Sequence, residues 1–357
     1  MTKPIARDVP RAAPLRPSSP APVVEPTLQP PPPSTSTPAD GYKTGPTAPP
    51  PATSATVAST EPVSLSPEQS EAVVKLKATC PFIGSAVAQA ALPVRNSPDQ
   101  PLGSIDDVTR LGNSGGGSLG KVLALFAQGN HAKMVGPDGK LSREVPPGTF
   151  SLDFPGSQGS HPGHSGILQG NPLALNSGRF SGEDLDRLLA RAKDGHVKRS
   201  DVARFIAENL VRDPSAKVFD ARTAKLLGLD TLSLVGSLGP AIVEAMHNLF
   251  RADDTHDAHR DVLEHLTRLL GEDNLVGSAG EFALLFAFLR HKPGAKELDG
   301  EPALAVEDLT LMFKDKKLPE GWETWPKNAG DWLGSTLALT REASYEYHRL
   351  AKEKAIP

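Results

Sequence analysis

Seventeen of the 35 prolines fall within the first 64 residues. Proline fixes φ and donates no backbone hydrogen bond, so a tract this dense in it supports neither a helix interior nor a central strand. Tyr42 is the only aromatic residue there, and Ser, Thr and Ala supply most of the remainder. Such a segment buries too little apolar surface to offset the entropy of ordering. Residues 1–64 are therefore expected to form a disordered proline-rich tail, with local polyproline II over 30–33. Its expected role is a tether, or a docking segment for a proline-recognising domain. The folded body is left to residues 65–357, long enough for one large core or for two smaller ones divided near 216.

The body opens on a helix signal. Ser66 precedes Pro67, with Gln69 at the third helical position, a combination suited to a capped start. At Cys80-Pro81 the proline ends one helix or begins another. Residues 105–111 are ambiguous, 122–127 read as helix, and the alternation over 149–154 reads as a short strand. Ser181, with Asp184 three residues on, caps a helix whose apolar face is Leu185, Leu188, Leu189 and Ala192. Ser200 is expected to cap the next, with Val202, Phe205, Ile206 and Leu210 on one face and Asp213-Pro214 at its end. The two are expected as an αα-hairpin. Further helices are expected over 221–228, 240–251, 256–270, 279–290, 303–313 and 332–354. The last is entered from an aromatic turn carrying Trp322 and Trp325. The expected fold class is mainly α, a single helical domain behind the tail.

Lys and Arg number 38 against 42 Asp and Glu, a net charge of −4. That balance offers no electrostatic basis for nucleic acid or an anionic membrane surface as partner. The longest apolar run, FALLFAFL over 282–289, is far short of the roughly 20 residues of a membrane-spanning helix. No signal-like apolar core is visible near the N-terminus, and the single cysteine, Cys80, allows no internal disulfide. Both features favour a cytoplasmic protein.

Several motifs invite a chemical reading. GGGSLGKV over 115–122 nearly spells the phosphate loop G-x-x-x-x-G-K-[ST]. Val122, however, stands where a hydroxyl should reach Mg²⁺, and no convincing strand precedes it. It reads as a loop before a helix, whose free N–H groups could hold an anion. His256, His259 and His265 lack the i, i+4 pair of helical zinc sites and read as a solvated helix start. DGHVKRSD over 194–201 is similar to the end of a calcium loop without its earlier aspartates, which argues against calcium.

Two features remain. The stretch PGSQGSHPGHSGILQG over 155–170 holds five glycines and two prolines. No stable helix forms there, and such a loop suits a place where backbone approaches something closely. It carries His161 and His164, whose imidazoles can move protons near neutral pH. Cys80 stands at a helix break near free N–H groups. It is either a small core residue or a thiolate acting as nucleophile or metal ligand.

Cys80-Pro81 early in a mainly α chain is followed by His161-Pro162-Gly163-His164-Ser165. Then come Ser177-Gly178-Arg179-Phe180-Ser181 and the helices to Asp213. This order resembles the chloroperoxidase-like haem-thiolate peroxidases over residues 66–215. In that family a Cys-Pro supplies the axial thiolate, and a later acid-and-histidine motif followed by an arginine lies on the opposite haem face. The resemblance implies an oxidoreductase using haem b, peroxide and a small-molecule substrate. Cys80, followed by Pro81, would ligate the iron. His161 and His164 would be the distal acid–base, and Arg179 would polarise the departing oxygen. Thr79 stands where the family has a proline, and no glutamate within 160–164 matches the family's distal acid.

Two further readings stand beside it. One is a non-catalytic helical binding protein with a proline-rich tether, its groove lined by 282–289 and the Trp322/Trp325 turn. The other is a non-haem metal or hydrolytic enzyme using His161 and His164, with carboxylates from Asp153 or elsewhere.

Overall fold

The structure is a computed structural model, and it describes residues 58–131, 133–135, 141–153, 166–168, 180–213, 216, 218 and 274–354. The tail expected over 1–64 lies outside the described residues except for its last seven. Those seven belong to the fold: Ala58 is buried, and the Val63 N–H donates to the Val94 carbonyl at 2.9 Å. The helices expected over 221–228, 240–251 and 256–270, with their three histidines, lie outside the described residues. The described residues belong to one compact unit.

The fold is mainly α. Among the described residues its helices are α1 (Pro67–Leu76), α2 (Pro81–Ala88), α3 (Ile105–Gly112), α4 (Gly120–Asn130), α5 (Gly182–Leu189), α6 (Arg199–Arg212), α7 (Asn274–Leu289), α8 (Val306–Phe313) and α9 (Ala329–Lys354). The strands are short: β1 (Arg95–Asn96), β2 (Pro101–Ser104), β3 (Lys133–Val135), β4 (Leu141–Glu144), β5 (Thr149–Ser151), β6 (His196–Lys198), β7 (Lys296–Leu298) and β8 (Glu301–Ala305). They form sheets ordered β1-β2-β5, β3-β4 and β6-β8-β7, with antiparallel pairing throughout.

Local signals set several of these elements. At the start of α1 the Ser66 hydroxyl accepts from the Gln69 N–H, and the Gln69 side chain accepts from the Ser66 N–H, closing a full capping box. Residues 105–112, ambiguous in sequence, form α3. Ser104 caps it, acidic Asp106 and Asp107 sit in its first turn, and Val108 and Leu111 are buried.

The expected αα-hairpin takes a different form. Ser200 does not cap α6. The helix begins at Arg199 after Lys198, and the Ser200 N–H donates instead to Glu301 at 2.9 Å. Between α5 and α6, Asp194 and Gly195 adopt left-handed φ of 51° and 73°, turning the chain into β6. β6 pairs with β8 in the register His196↔Ala305, Val197↔Leu304 and Lys198↔Ala303. This ladder explains why residues 303–305, expected as the first turn of a helix, are extended and α8 starts only at Val306. Two helix–loop–helix units, α5-β6-α6 and α7-β7-β8-α8, are thus joined through their loops. Here Ala190 and Ala192 precede Asp194, and in the second unit the Lys292 ammonium bonds buried Asp308 at 2.5 Å.

α7 is the centre of the core. It is apolar on nearly every side, which places a helix in the interior. Phe82 of α2 meets Phe288 edge-on at 4.7 Å, Phe205 of α6 meets Phe282 at 6.2 Å, and the Trp332 indole N–H of α9 donates to the Gly280 carbonyl at 3.0 Å. The docking groove expected from 282–289 and the tryptophan turn is therefore core. Trp325 is 4 % exposed and donates its indole N–H to the Phe288 carbonyl. No helix among the described residues is long and apolar enough to cross a membrane.

Candidate functional site

The chain's single cysteine stands at the start of α2. Pro81 stands at its first position and Cys80 at its N-cap, extended with φ −51° and ψ 131°. Every residue from Pro81 to Val87 is buried. Gly84 makes the tight turn before α2 possible: a Cβ there would lie 2.2 Å from the Ala78 carbonyl oxygen. The turn presses Thr79 and Cys80 against the body, and Thr79 is 2 % exposed.

Cys80 keeps part of its surface accessible, but its sulfur sits in apolar surroundings. Burial pushes the thiol up to about 11. The Ile83 and Phe82 N–H groups oppose this, though the sulfur closes no complete cap hydrogen bond. Two charged side chains are near enough to act on it. Glu281 raises the pKa further and Lys316 lowers it.

Lys316 follows α8 at a left-handed φ of 52°. Its ammonium donates to the Thr79 carbonyl at 2.8 Å and stands 5.9 Å from the centre of the Phe180 ring. Burial pulls it down to about 8, with Cys80 pulling the other way.

Glu281 belongs to α7 and is 3 % exposed. It precedes Phe288 by seven residues, so the two share a face about two turns apart. Phe288 is the residue that touches Phe82 of α2. Asn274 and Ser278, both buried, fall on the same face at i−7 and i−3 from Glu281. A helix otherwise apolar thus carries a buried polar row. Sequence reasoning passed over this row. The signal was present as three polar residues at i, i+4 and i+7 in an apolar 16-residue segment.

Of the residues singled out in sequence, Cys80 and Pro81 fall within this site, whereas His161, His164 and Arg179 lie outside the described residues. Asp153 is committed elsewhere, to Lys77 at 2.8 Å. Among the described residues no three His, Cys, Asp or Glu side chains gather as a metal cluster.

The phosphate-loop look-alike has a structural use. The Ser118 and Leu119 N–H groups both donate to the Lys327 carbonyl, at 2.8 and 2.9 Å, and the Gly120 N–H donates to Asn113 at 2.9 Å. A Cβ on Gly117 would lie 2.3 Å from the Lys327 carbonyl oxygen. These donors hold the chain before α9, so they are not offered to an anion. Lys327 is fully buried. Its ammonium donates to Ser114 Oγ and to the Trp322 and Trp325 carbonyls, and lies 5.3–5.5 Å from the Phe288, Trp325 and Trp322 ring centres. Burial pulls this ammonium down to about 8, against the acceptors and rings that favour its charged form.

No family model matches the chain, and no curated protein or solved structure was found to resemble it.

Proposed function

We propose that this protein is a haem-thiolate oxidoreductase of the peroxidase or peroxygenase kind, with Cys80 as the axial ligand. The observation that carries the reading is the setting of Cys80: a cysteine at the first turn of a buried helix, beside an ammonium and within electrostatic reach of a buried carboxyl group. The chloroperoxidase-like order of elements supports it as a resemblance. The donor set fits the group. A haem iron needs one protein ligand on the thiolate side, so the lack of a multi-residue cluster among the described residues is compatible with it. Helix N–H groups beside the sulfur stabilise a metal-bound thiolate and tune the metal. A thiol near 11 is protonated at neutral pH, and coordination to a metal removes that proton.

When bound, haem b supplies the cleavage of the peroxide O–O bond and the oxidation of a small substrate. The protein's own work is to hold the sulfur and to handle a proton. Pro81 and the close turn at Gly84 fix Cys80 at the start of α2. As the resemblance implies, His161 or His164 would take a proton from one peroxide oxygen onto a ring nitrogen and return it to the oxygen that leaves as water. The apolar surroundings of the sulfur keep water from competing for it.

The test uses the full chain loaded with haem b. Wild type should give a ferrous–CO band with the red shift of thiolate ligation, and Cys80→Ser should lose it. The double variant His161→Ala with His164→Ala should keep the band and lose at least a hundredfold in peroxide turnover, in the range of a general acid–base contribution of about 10²–10⁴. A Cys80→Ser protein with the wild-type band would sink the proposal.

A further inference from the structure

A cleft of about 310 Å³ lies between the end of α7 and the β7–β8 hairpin. That is the low end of the range for small-molecule sites, roughly 300–1,000 Å³. Its floor is apolar: Phe286 and Leu289 of α7 and Leu304 of β8 line it, each no more than 5 % exposed. Its rim is charged, by Arg290, Lys296 and Glu297. Both walls are fixed. Asp299 and Gly300, at left-handed φ of 53° and 77°, close the hairpin in a two-residue turn, and β8 is held on its other side by β6. Arg290 donates to Glu297 at 2.6 Å, tying the helix end to β7. His291 beside it bonds Asp331 of α9 at 2.9 Å. A site held this way loses little freedom when a ligand enters.

The rim decides the ligand class. The chain as a whole is acidic, at −4, yet this cleft sets Arg290 and Lys296 against Glu297 alone. Glu297 occupies one donor of the Arg290 guanidinium, and the others have no partner among the described residues. Lys296 pairs with no carboxylate among the described residues. Arg290, at the end of α7, also suits the helix dipole, but Lys296 lies beyond that last turn, on β7. A solvated lysine is ordinary. One that gives an apolar cleft a net positive rim selects ligands by charge. We propose that this cleft binds a small organic acid, its apolar body on Phe286, Leu289 and Leu304 and its carboxylate taken by Lys296 and the remaining donors of Arg290. Inorganic phosphate has no apolar body for the floor, and an uncharged ligand of the same shape forgoes the charged rim. The proposal does not depend on the haem-thiolate reading.

The experiment titrates the full chain, as purified, with benzoate by ligand-observed NMR, using benzamide as the uncharged counterpart. Wild type should bind benzoate with a Kd of about 1 mM. Benzamide should bind about tenfold more weakly, the worth of one charge-assisted hydrogen bond. Lys296→Met should lose about tenfold for benzoate and nothing for benzamide. Ala295→Trp, which fills the cleft from an exposed position, should lose both ligands. Benzamide bound as tightly as benzoate overturns the assignment to an acid. Benzoate bound equally by wild type and Ala295→Trp lies elsewhere and overturns the site. Phosphate that displaces benzoate at equal concentration makes the cleft a plain anion site and also overturns the proposal, as does wild type that binds no benzoate at about 10 mM.

Discussion

A cysteine and two lysines carry opposite pH signatures. Cys80 holds its proton up to about 11 against an ordinary 9.0, so folding gains from it below 9.0, and that gain is lost as pH rises toward 11. Lys327 and Lys316 are depressed to about 8 from 10.5, so between those values the unfolded chain binds more protons and stability rises with pH. From pH 7.5 to 9 the lysines act without Cys80, and the urea midpoint of the metal-free protein should increase. A falling midpoint would show that the two ammonium groups are not desolvated. Cys80 can be probed directly. Its thiolate fraction at pH 8 is about a hundredfold below that of an ordinary thiol, so iodoacetamide should label it about that much more slowly in the folded protein than in urea. Lys327 also holds three acceptors, and Lys327→Met should destabilise by about 2–4 kcal/mol through the carbonyls left unpaired. None of this was legible from residue type alone. Lys327 reads as a surface lysine and Lys316 as one of a basic pair, because burial of an ammonium depends on partners far away in sequence.

At the scale of elements, capping and periodicity were legible and strand pairing was not. Ser66 and Ser181 cap the helices their spacing indicates, because those bonds close within three residues. β6 and β8 lie about a hundred residues apart and are each too short to show an alternation. Their ladder moved the start of α8 and displaced Ser200 from its expected cap. Val197 and Leu304 meet at its centre, both buried. Leu304→Ala should cost about 2–5 kcal/mol in urea denaturation as the two loops lose their shared contact. Lys292→Met should cost about 3–5 kcal/mol by leaving Asp308 buried and uncompensated. Pairing it with Asp308→Asn should recover much of that loss. If the double variant is no better than the single, the ion pair is not the source.

At the scale of the molecule, one hydrophobic core runs from Val73 of α1 to Ala343 of α9 and includes residues on both sides of position 216. Urea should therefore expose Cys80, near the start of this core, at the same midpoint at which the tryptophans at 322, 325 and 332 change fluorescence. Separate midpoints would mean that the two ends unfold independently. By itself the sequence determined the class of the fold. Proline density, helix caps and 3.6-residue apolar spacing are local, and they specify a mainly α body whatever its contacts turn out to be. It also marked Cys80-Pro81, because proline defines a helix start without reference to the rest of the chain. Only the tertiary structure decided what Cys80 faces. Glu281 and Lys316 follow it by about two hundred residues or more, and they reach its surroundings through the packing of α7 and the turn after α8. That same packing turned the glycine loop of 115–120 from a candidate anion cradle into a brace for Lys327, since the fate of a free N–H depends on which carbonyl the fold brings to it.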